Sequence, residues 1–267
     1  MNVIALLVVC LTAYALSLGL LLLGLSLRKP ISAIIPTFGI AVASHALLCY
    51  QLVYVLPAQN EIIMNFYVAT LLIVFLASLI GYLLHLYKRQ PLLLLSLATA
   101  SLLTLLLVLI NNDALSTIKH YDNATAIHAA LSFSGFGFFA LAALQATSLK
   151  ISSYFLKQKR NLNWLQQFPP IVEMERLLFI EIAIGFILLN LAFISGYFAL
   201  ADIFSLQVIH KTVLSLAAWL LFGFLLVRHY FYGLRGQLAV NYILLGFALL
   251  MMAFLGSLFV RQVILNQ

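Results

Sequence analysis

The sequence predicts an all-α protein, a polytopic bundle of about eight transmembrane helices. Of 267 residues, 65% are hydrophobic and only 8% are charged, whereas roughly a quarter of the residues in soluble domains are charged. Apolar runs of about 20 residues, the length that crosses a hydrocarbon core as a helix, recur along nearly the whole chain. No segment alternates apolar and polar residues as a membrane β-strand must.

Taken in order, the spans read as about 3–26, 32–56, 63–87, 91–111, 125–149, 177–199, 207–230 and 239–260, within one integral membrane domain covering 1–267. Residues 2–27 lack a basic leader and end at Arg28-Lys29 without a small-residue cleavage site, so a retained first span is expected rather than a signal peptide. Pro30, Pro57 and Pro91 sit at span junctions, where a missing N–H and a fixed φ do least harm. The loop from Asn112 to Thr125 is the main connection on one face, and its Asn123-Ala124-Thr125 matches a glycosylation sequon of little weight. The insert at about 150–176 is the longest polar stretch. Span five is expected to continue as helix to about Arg160, Trp164 to anchor at the interface, and Pro169-Pro170 to end the excursion before Glu173-Met174-Glu175-Arg176 starts span six.

The basic excess, 14 Lys and Arg against 7 acidic residues, is distributed unevenly. Arg28-Lys29, Lys88-Arg89, the cluster from Lys157 to Arg160, Arg228 and Arg235 fall on one side of the alternation. Glu61, Asp113, Asp122 and Asp202 fall on the other, with Lys119, Lys211 and Arg261. The positive-inside rule then puts 150–176 in the cytoplasm and both termini outside, which is periplasmic for a bacterial inner membrane. The charge therefore reflects topology and implies no nucleic-acid partner; membrane lipid is the expected surrounding. No basic cluster is dense enough for dedicated capture of anionic head groups. Cys10 and Cys49 lie in apolar runs without a CxxC pattern, so packing is their expected role.

The most informative stretch runs from Leu206 to Gly236. Nineteen residues separate His210 from His229, roughly 28 Å along a helix, so one span carries an imidazole near each membrane face. Ionisable groups at membrane depth are costly and point to function. A neutral imidazole is also a suitable ligand for haem iron. His128 opens span five, with Ser132 and Gly135 on the same helical face; those small residues leave room either for a planar macrocycle or for a neighbouring helix. His210 is level with His128, as a second axial ligand or as an interfacial cap. His45, midway along span two, and His229, near the inner end of span seven, are candidates for an embedded second site, although their depths differ by more than about ten ångströms on a 1.5 Å rise. His85 is level with His229 and rivals His45, while His120 lies in a polar loop. Glu181 is an acid inside span six; pairing with a base, snorkelling, or orienting a ligand histidine are its three readings. No GxSxG, HExxH or P-loop occurs, and no catalytic base stands with a nucleophile, so no enzyme is expected.

Several segments together carry a family resemblance. They are Pro169-Pro170 with Met174-Glu175-Arg176, Ile184-Gly185, Ser195-Gly196-Tyr197, Lys211 through Trp219, Arg228-His229-Tyr230, Gly233-Leu234-Arg235-Gly236 and Phe254-Leu255-Gly256-Ser257. The chain resembles the cytochrome c assembly family of haem-handling membrane proteins (CcsA, CcmC and HemX types), and within it the short bacterial YpjD-like branch. The resemblance covers most of 168–260, and the first half agrees in helix count and in His45 and His128. It implies non-covalent haem b and a delivery or accessory role in cytochrome c maturation beside a membrane partner protein. It also implies that His128 is an outer haem-iron ligand and that His45 and His229 are a transmembrane pair. The family's tryptophan-rich outer loop survives here only as Ile209-His210-Lys211-Thr212 and Trp219, and its second outer histidine has no counterpart near Arg261. His210 is the speculative replacement, with Lys211 or Arg228 positioned to meet propionates. Two other classes stay open. One is a small-solute or proton-coupled transporter built on His45 and Glu181; the other is a membrane scaffold that holds a partner through 150–176.

Overall fold

A computed structural model describes residues 3–27, 32–55, 61–63, 66–111, 118–120, 123–158, 168–199 and 209–256; within these, the side chains of 54–55, 61–63, 118–120, 123, 209–210 and 255–256 are not described. The described residues form eight helices long and apolar enough to cross a membrane. They are α1 (Val3–Leu27), α2 (Ile34–Tyr50), α3 (Phe66–Tyr87), α4 (Pro91–Ile110), α5 (Asn123–Lys157), α6 (Ile171–Ala199), α7 (Ile209–Tyr232) and α8 (Gln237–Met251). Wider π turns extend α2 over Gln51–Val55 and α8 over Met252–Gly256. The all-α, eight-helix expectation holds, with one small addition. Three-residue strands β1 (Glu61–Ile63) and β2 (Ile118–His120) pair, joining the α2–α3 and α4–α5 connections.

Helix ends follow local chemistry. Pro91 begins α4 at a position that needs no N–H. The Pro170 carbonyl accepts from the N–H groups of Glu173 and Met174 at 2.9 and 3.1 Å, and Glu173 places an acid in the first turn of α6, where the helix dipole favours it. α6 therefore starts at Ile171, six residues before the apolar run suggests. α5 runs on as helix to Lys157, while Arg160 and Trp164 lie outside the described residues.

The chain packs as two compact units, one made of 1–119 with 148–174 and the other of 120–147 with 175–267. In the first unit α1 packs against α2 and α4, and α3 against α2 and α4. Its interior holds a polar node with one side chain from each of these helices. Tyr14, His45, Ser78 and Ser101 are all fully buried. The Tyr14 hydroxyl lies 3.3 Å from His45 Nδ1, and the Ser78 and Ser101 hydroxyls are 3.0 Å apart and beside the same phenol.

In the second unit α7 packs against α8, and α5 and α6 meet through glycines. A Cβ on Gly135 would lie 3.5–3.6 Å from Leu188, the Gly185 carbonyl and the Leu189 nitrogen, and one on Gly185 would press on Phe138 and Phe139 at 3.3 Å. The space beside Gly135 is thus filled by α6 rather than left as room for a macrocycle. The Phe139 and Phe222 rings stack with centroids 4.2 Å apart, and a Cβ on Gly246 would stand 2.7–3.1 Å from the Phe222 ring. Because Phe222 is fully buried and already stacked, Gly246→Ala should overpack this contact. We expect a loss of about 1–3 kcal/mol, read as a lower Tm of the protein in detergent, while Gly19→Ala, which meets nothing within 4 Å, should leave Tm unchanged.

Candidate functional site

A ring nitrogen can ligate metal only when it carries a lone pair, and the bond made by the other nitrogen fixes which one does. The histidines divide on this point. His128, half-buried near the start of α5, places Nδ1 2.9 Å from the Ala192 carbonyl and 3.4 Å from Ser195 Oγ. A carbonyl only accepts, so Nδ1 carries the proton and Nε2 keeps its lone pair. Gly196 completes the seat: a Cβ there would lie 2.9 Å from Cε1 and 3.0 Å from Nδ1 of the imidazole. The ring occupies the space that a side chain at 196 would need.

His229, in the last turn of α7, repeats this arrangement. Its Nδ1 lies 2.9 Å from the Leu234 carbonyl, which again leaves Nε2 with its lone pair. The ring stacks on Phe179 at 3.4 Å and 12°, with Tyr230 edge-on at 5.1 Å. The loop beneath is built to hold it: Gly233 and Gly236 take φ of 68° and 71°, and the Gly236 N–H donates to Glu175 Oε1 at 2.7 Å.

His85 has the opposite polarity. The Gln90 N–H donates to its Nδ1 at 2.9 Å, so the proton sits on Nε2 and the ring pins the α3–α4 turn instead of offering a lone pair. His45 is sealed in the first unit, edge-on to Tyr14 at 5.8 Å and to Phe75 at 5.5 Å. Its Nε2 has no well-formed hydrogen bond, although the Leu71 backbone acts on the ring. For His45 to meet a porphyrin, those two rings would have to open.

Which imidazoles come together follows from register. Along α6, His128 sits over Ala192 to Gly196 and His229 over Phe179. Seventeen residues separate Phe179 from Gly196, roughly 25 Å, so these two imidazoles serve opposite ends of the unit and no single iron joins them. His45 belongs to the other unit. The side chain of His210 lies outside those described, but its backbone opens α7. The pairs Phe186 with Gly223 and Phe179 with His229 set α7 antiparallel to α6, which brings residue 210 level with residues 198–199 and so with the His128 end. Trp219 braces that half of α7, donating from Nε1 to Asn190 Oδ1 at 3.1 Å and stacking on Phe186 at 5.9 Å. Glu181 neither snorkels nor pairs: it is 3% exposed, and its oxygens have no hydrogen-bond partner. Among the described residues no three His, Cys, Asp or Glu side chains gather around one point. Sequence alone gives no signal for the parts played by Gly196, Glu175 and Gln145; that the glycine next to Ser195 and four residues beyond Ala192 seats a histidine is visible only once α5 and α6 are aligned.

The fold and these imidazoles define a polytopic helical membrane protein that offers a lone-pair histidine at each end of its second unit. The chain matches the model of the Cytochrome C assembly protein family over residues 2–265 and belongs to that family. It is 37% identical over 138 residues to Inner membrane protein YpjD of Escherichia coli (strain K12), covering 52% of each chain. It is 29% identical over 144 residues to an uncharacterized 28.8 kDa protein from the nifR3-like 5′ region of Azospirillum brasilense, again covering 52% of each. The chain thus spans about half the length of the curated relatives it matches. No solved structure matches it.

If Gly196 sets the imidazole, Gly196→Ala should displace His128 from the Ala192 carbonyl. Nitrogen NMR of histidine-labelled protein should then lose the Nδ1-protonated signal assigned through His128→Gln, while the His229 signal stays.

Proposed function

We propose that this protein binds haem b non-covalently in the bacterial inner membrane and hands it on, or accessorily supports its delivery, during cytochrome c maturation. The observation that carries the reading is the His128 seat, where the Ala192 carbonyl holds the proton on Nδ1 and Gly196 makes room for the ring, so Nε2 keeps its lone pair. That donor fits haem iron, because ligating histidines characteristically donate their second N–H to a carbonyl or carboxylate. Family membership supports the same chemistry, and the name of the Escherichia coli relative supports the inner membrane as the compartment.

In this reading His128, near the start of α5, and His210, which opens α7 at the same end of the unit, would hold the iron. Lys211 lies at the same end of α7 and would meet a propionate. His229 offers a second lone pair at the far end, next to Arg228, and His45 supports the first unit from within its node. The bound group would supply the redox-active iron; the chain's part is to hold, orient and release it, not to catalyse a covalent step. Both termini would face the periplasm, following the distribution of Lys and Arg.

The test is the visible spectrum of full-length protein purified from haem-replete cells. A Soret band is expected, largely lost in His128→Ala, weakened and shifted in His210→Ala, and retained in His85→Ala. A colourless wild-type preparation, or a band indifferent to His128, would refute the proposal.

A further inference from the structure

The second unit contains two buried polar side chains that nothing so far explains. Gln145 on α5 is fully buried and Glu181 on α6 is 3% exposed. None of their four terminal atoms (Gln145 Oε1 and Nε2, Glu181 Oε1 and Oε2) has a hydrogen-bond partner, so the two do not bond each other.

Helix register nevertheless makes them face one another. α5 and α6 run antiparallel, with His128 opposite Ala192 and Ser195, Gly135 opposite Gly185 to Leu189, and Phe139 opposite Gly185. Stepping back along α6 by threes and fours from Ser195 passes Ala192, Leu188 and Gly185, all of which touch α5, and arrives at Glu181. The same steps along α5 from Gly135 pass Phe138, which meets Gly185, and reach Gln145. Measured from the Phe139–Gly185 contact, Gln145 lies six residues along and Glu181 four, so their levels differ by about 3 Å. Register and burial together point both side chains to the same interhelical seam, where their terminal atoms make no direct bond.

We propose that Gln145 and Glu181 form an intramembrane site for a monovalent alkali cation. The first argument is desolvation. An isolated carboxylate in an apolar interior is prohibitively costly and is neutralised either by a proton or by a cation; a proton alone leaves the buried oxygens of Glu181 and Gln145 without partners, a rare condition that a bound cation relieves. The second argument is charge balance: one carboxylate matches one positive charge, and the amide oxygen of Gln145 adds a neutral oxygen ligand. Hard oxygen donors suit alkali ions and not transition metals. No third His, Cys, Asp or Glu joins them among the described residues, and that also disfavours a divalent site. Other charged or titratable groups around the seam are few. α8 carries no charged residue over Gln237–Met251 and one phenol, Tyr242, edge-on to Phe224 at 6.1 Å. α7 presents Arg228, whose guanidinium lies over Tyr232 at 4.9 Å, and His229, which is committed to Leu234 and Phe179. α6 itself carries Glu175, bonded to Gly236, and Arg176, which is exposed; α5 carries only His128 within this unit, at its far end.

The experiment is thermal unfolding of full-length protein in detergent at constant ionic strength. Sodium or potassium chloride replaces choline chloride, at several pH values, for wild type, Glu181→Gln and Gln145→Leu. A Tm that rises with sodium or potassium in wild type, but not in Glu181→Gln and less in Gln145→Leu, supports an alkali-ion site. A Tm indifferent to the alkali ion, but with a pH dependence that disappears in Glu181→Gln, means that Glu181 is neutralised by protonation alone and overturns the proposal. A salt and pH response identical in wild type and Glu181→Gln overturns the proposal, as does the absence of any response. Should Glu181→Gln fail to fold, the same comparison of wild type with Gln145→Leu decides.

Discussion

Close backbone approach between α5 and α6 is the constraint on which the second unit depends. Lipid tails are as apolar as leucine, so burying apolar surface does little to join helices in a bilayer; packing and hydrogen bonds must do it. Gly135 lies against the α6 backbone, Gly185 admits the side chains of Phe138 and Phe139, and Gly196 yields its side-chain volume to the His128 ring. That approach brings the Ala192 carbonyl within reach of Nδ1. The tautomer of the candidate ligand is therefore a consequence of helix spacing, and widening the seam would alter the chemistry as well as the fit. α7 then docks on α6 through Trp219, Asn190 and Phe186, and α8 on α7 where Gly246 admits Phe222.

The histidines show how one residue type is sorted by its partners. Facing a carbonyl, His128 and His229 must donate from Nδ1 and so keep Nε2 basic. Facing an amide N–H, His85 must accept at Nδ1 and loses that option. His45 faces a hydroxyl, which both donates and accepts, and its chemistry is set by enclosure among Tyr14 and Phe75. Depth and sequence neighbours do not separate these cases. The atom opposite Nδ1 does.

What was legible in the sequence follows from length scale. Apolar runs of about twenty residues announce the helices, prolines mark some of their ends (Pro30, Pro57, Pro91 and Pro169-Pro170), and the resemblance read from Pro169-Pro170 through Gly256-Ser257 agrees with family membership along the chain. α6 starts earlier than its apolar run because Glu173, Glu175 and Arg176 hide a helical turn that the proline pair and dipole favour. β1 and β2 left no signal, since three residues are too few to show alternation. His128 could be singled out, but the role of Gly135 depended on its neighbour: a small residue beside a histidine suits a macrocycle or a helix equally until the facing backbone is known. Glu181 was harder still. An acid within a span is expected to pair or snorkel, and its burial without a partner follows only from how α6 is packed.

The motif residues that define the chain's resemblance need not all touch a ligand. Met174-Glu175-Arg176 and Gly233 to Gly236 lie 61 residues apart between Glu175 and Gly236, yet the Glu175 carboxylate accepts from the Gly236 N–H. That N–H is one of the unsatisfied donors at the start of α8. A φ of 71° at Gly236 aims it at α6, a backbone conformation that other residues adopt only at a cost. The carboxylate thus caps α8 from outside its own sequence. Gly233 turns the chain so that the Leu234 carbonyl returns under His229. The glycines and the acid together set the end of α7 and the orientation of its imidazole, so this part of the motif acts by positioning a histidine roughly 25 Å from the one that Gly196 seats.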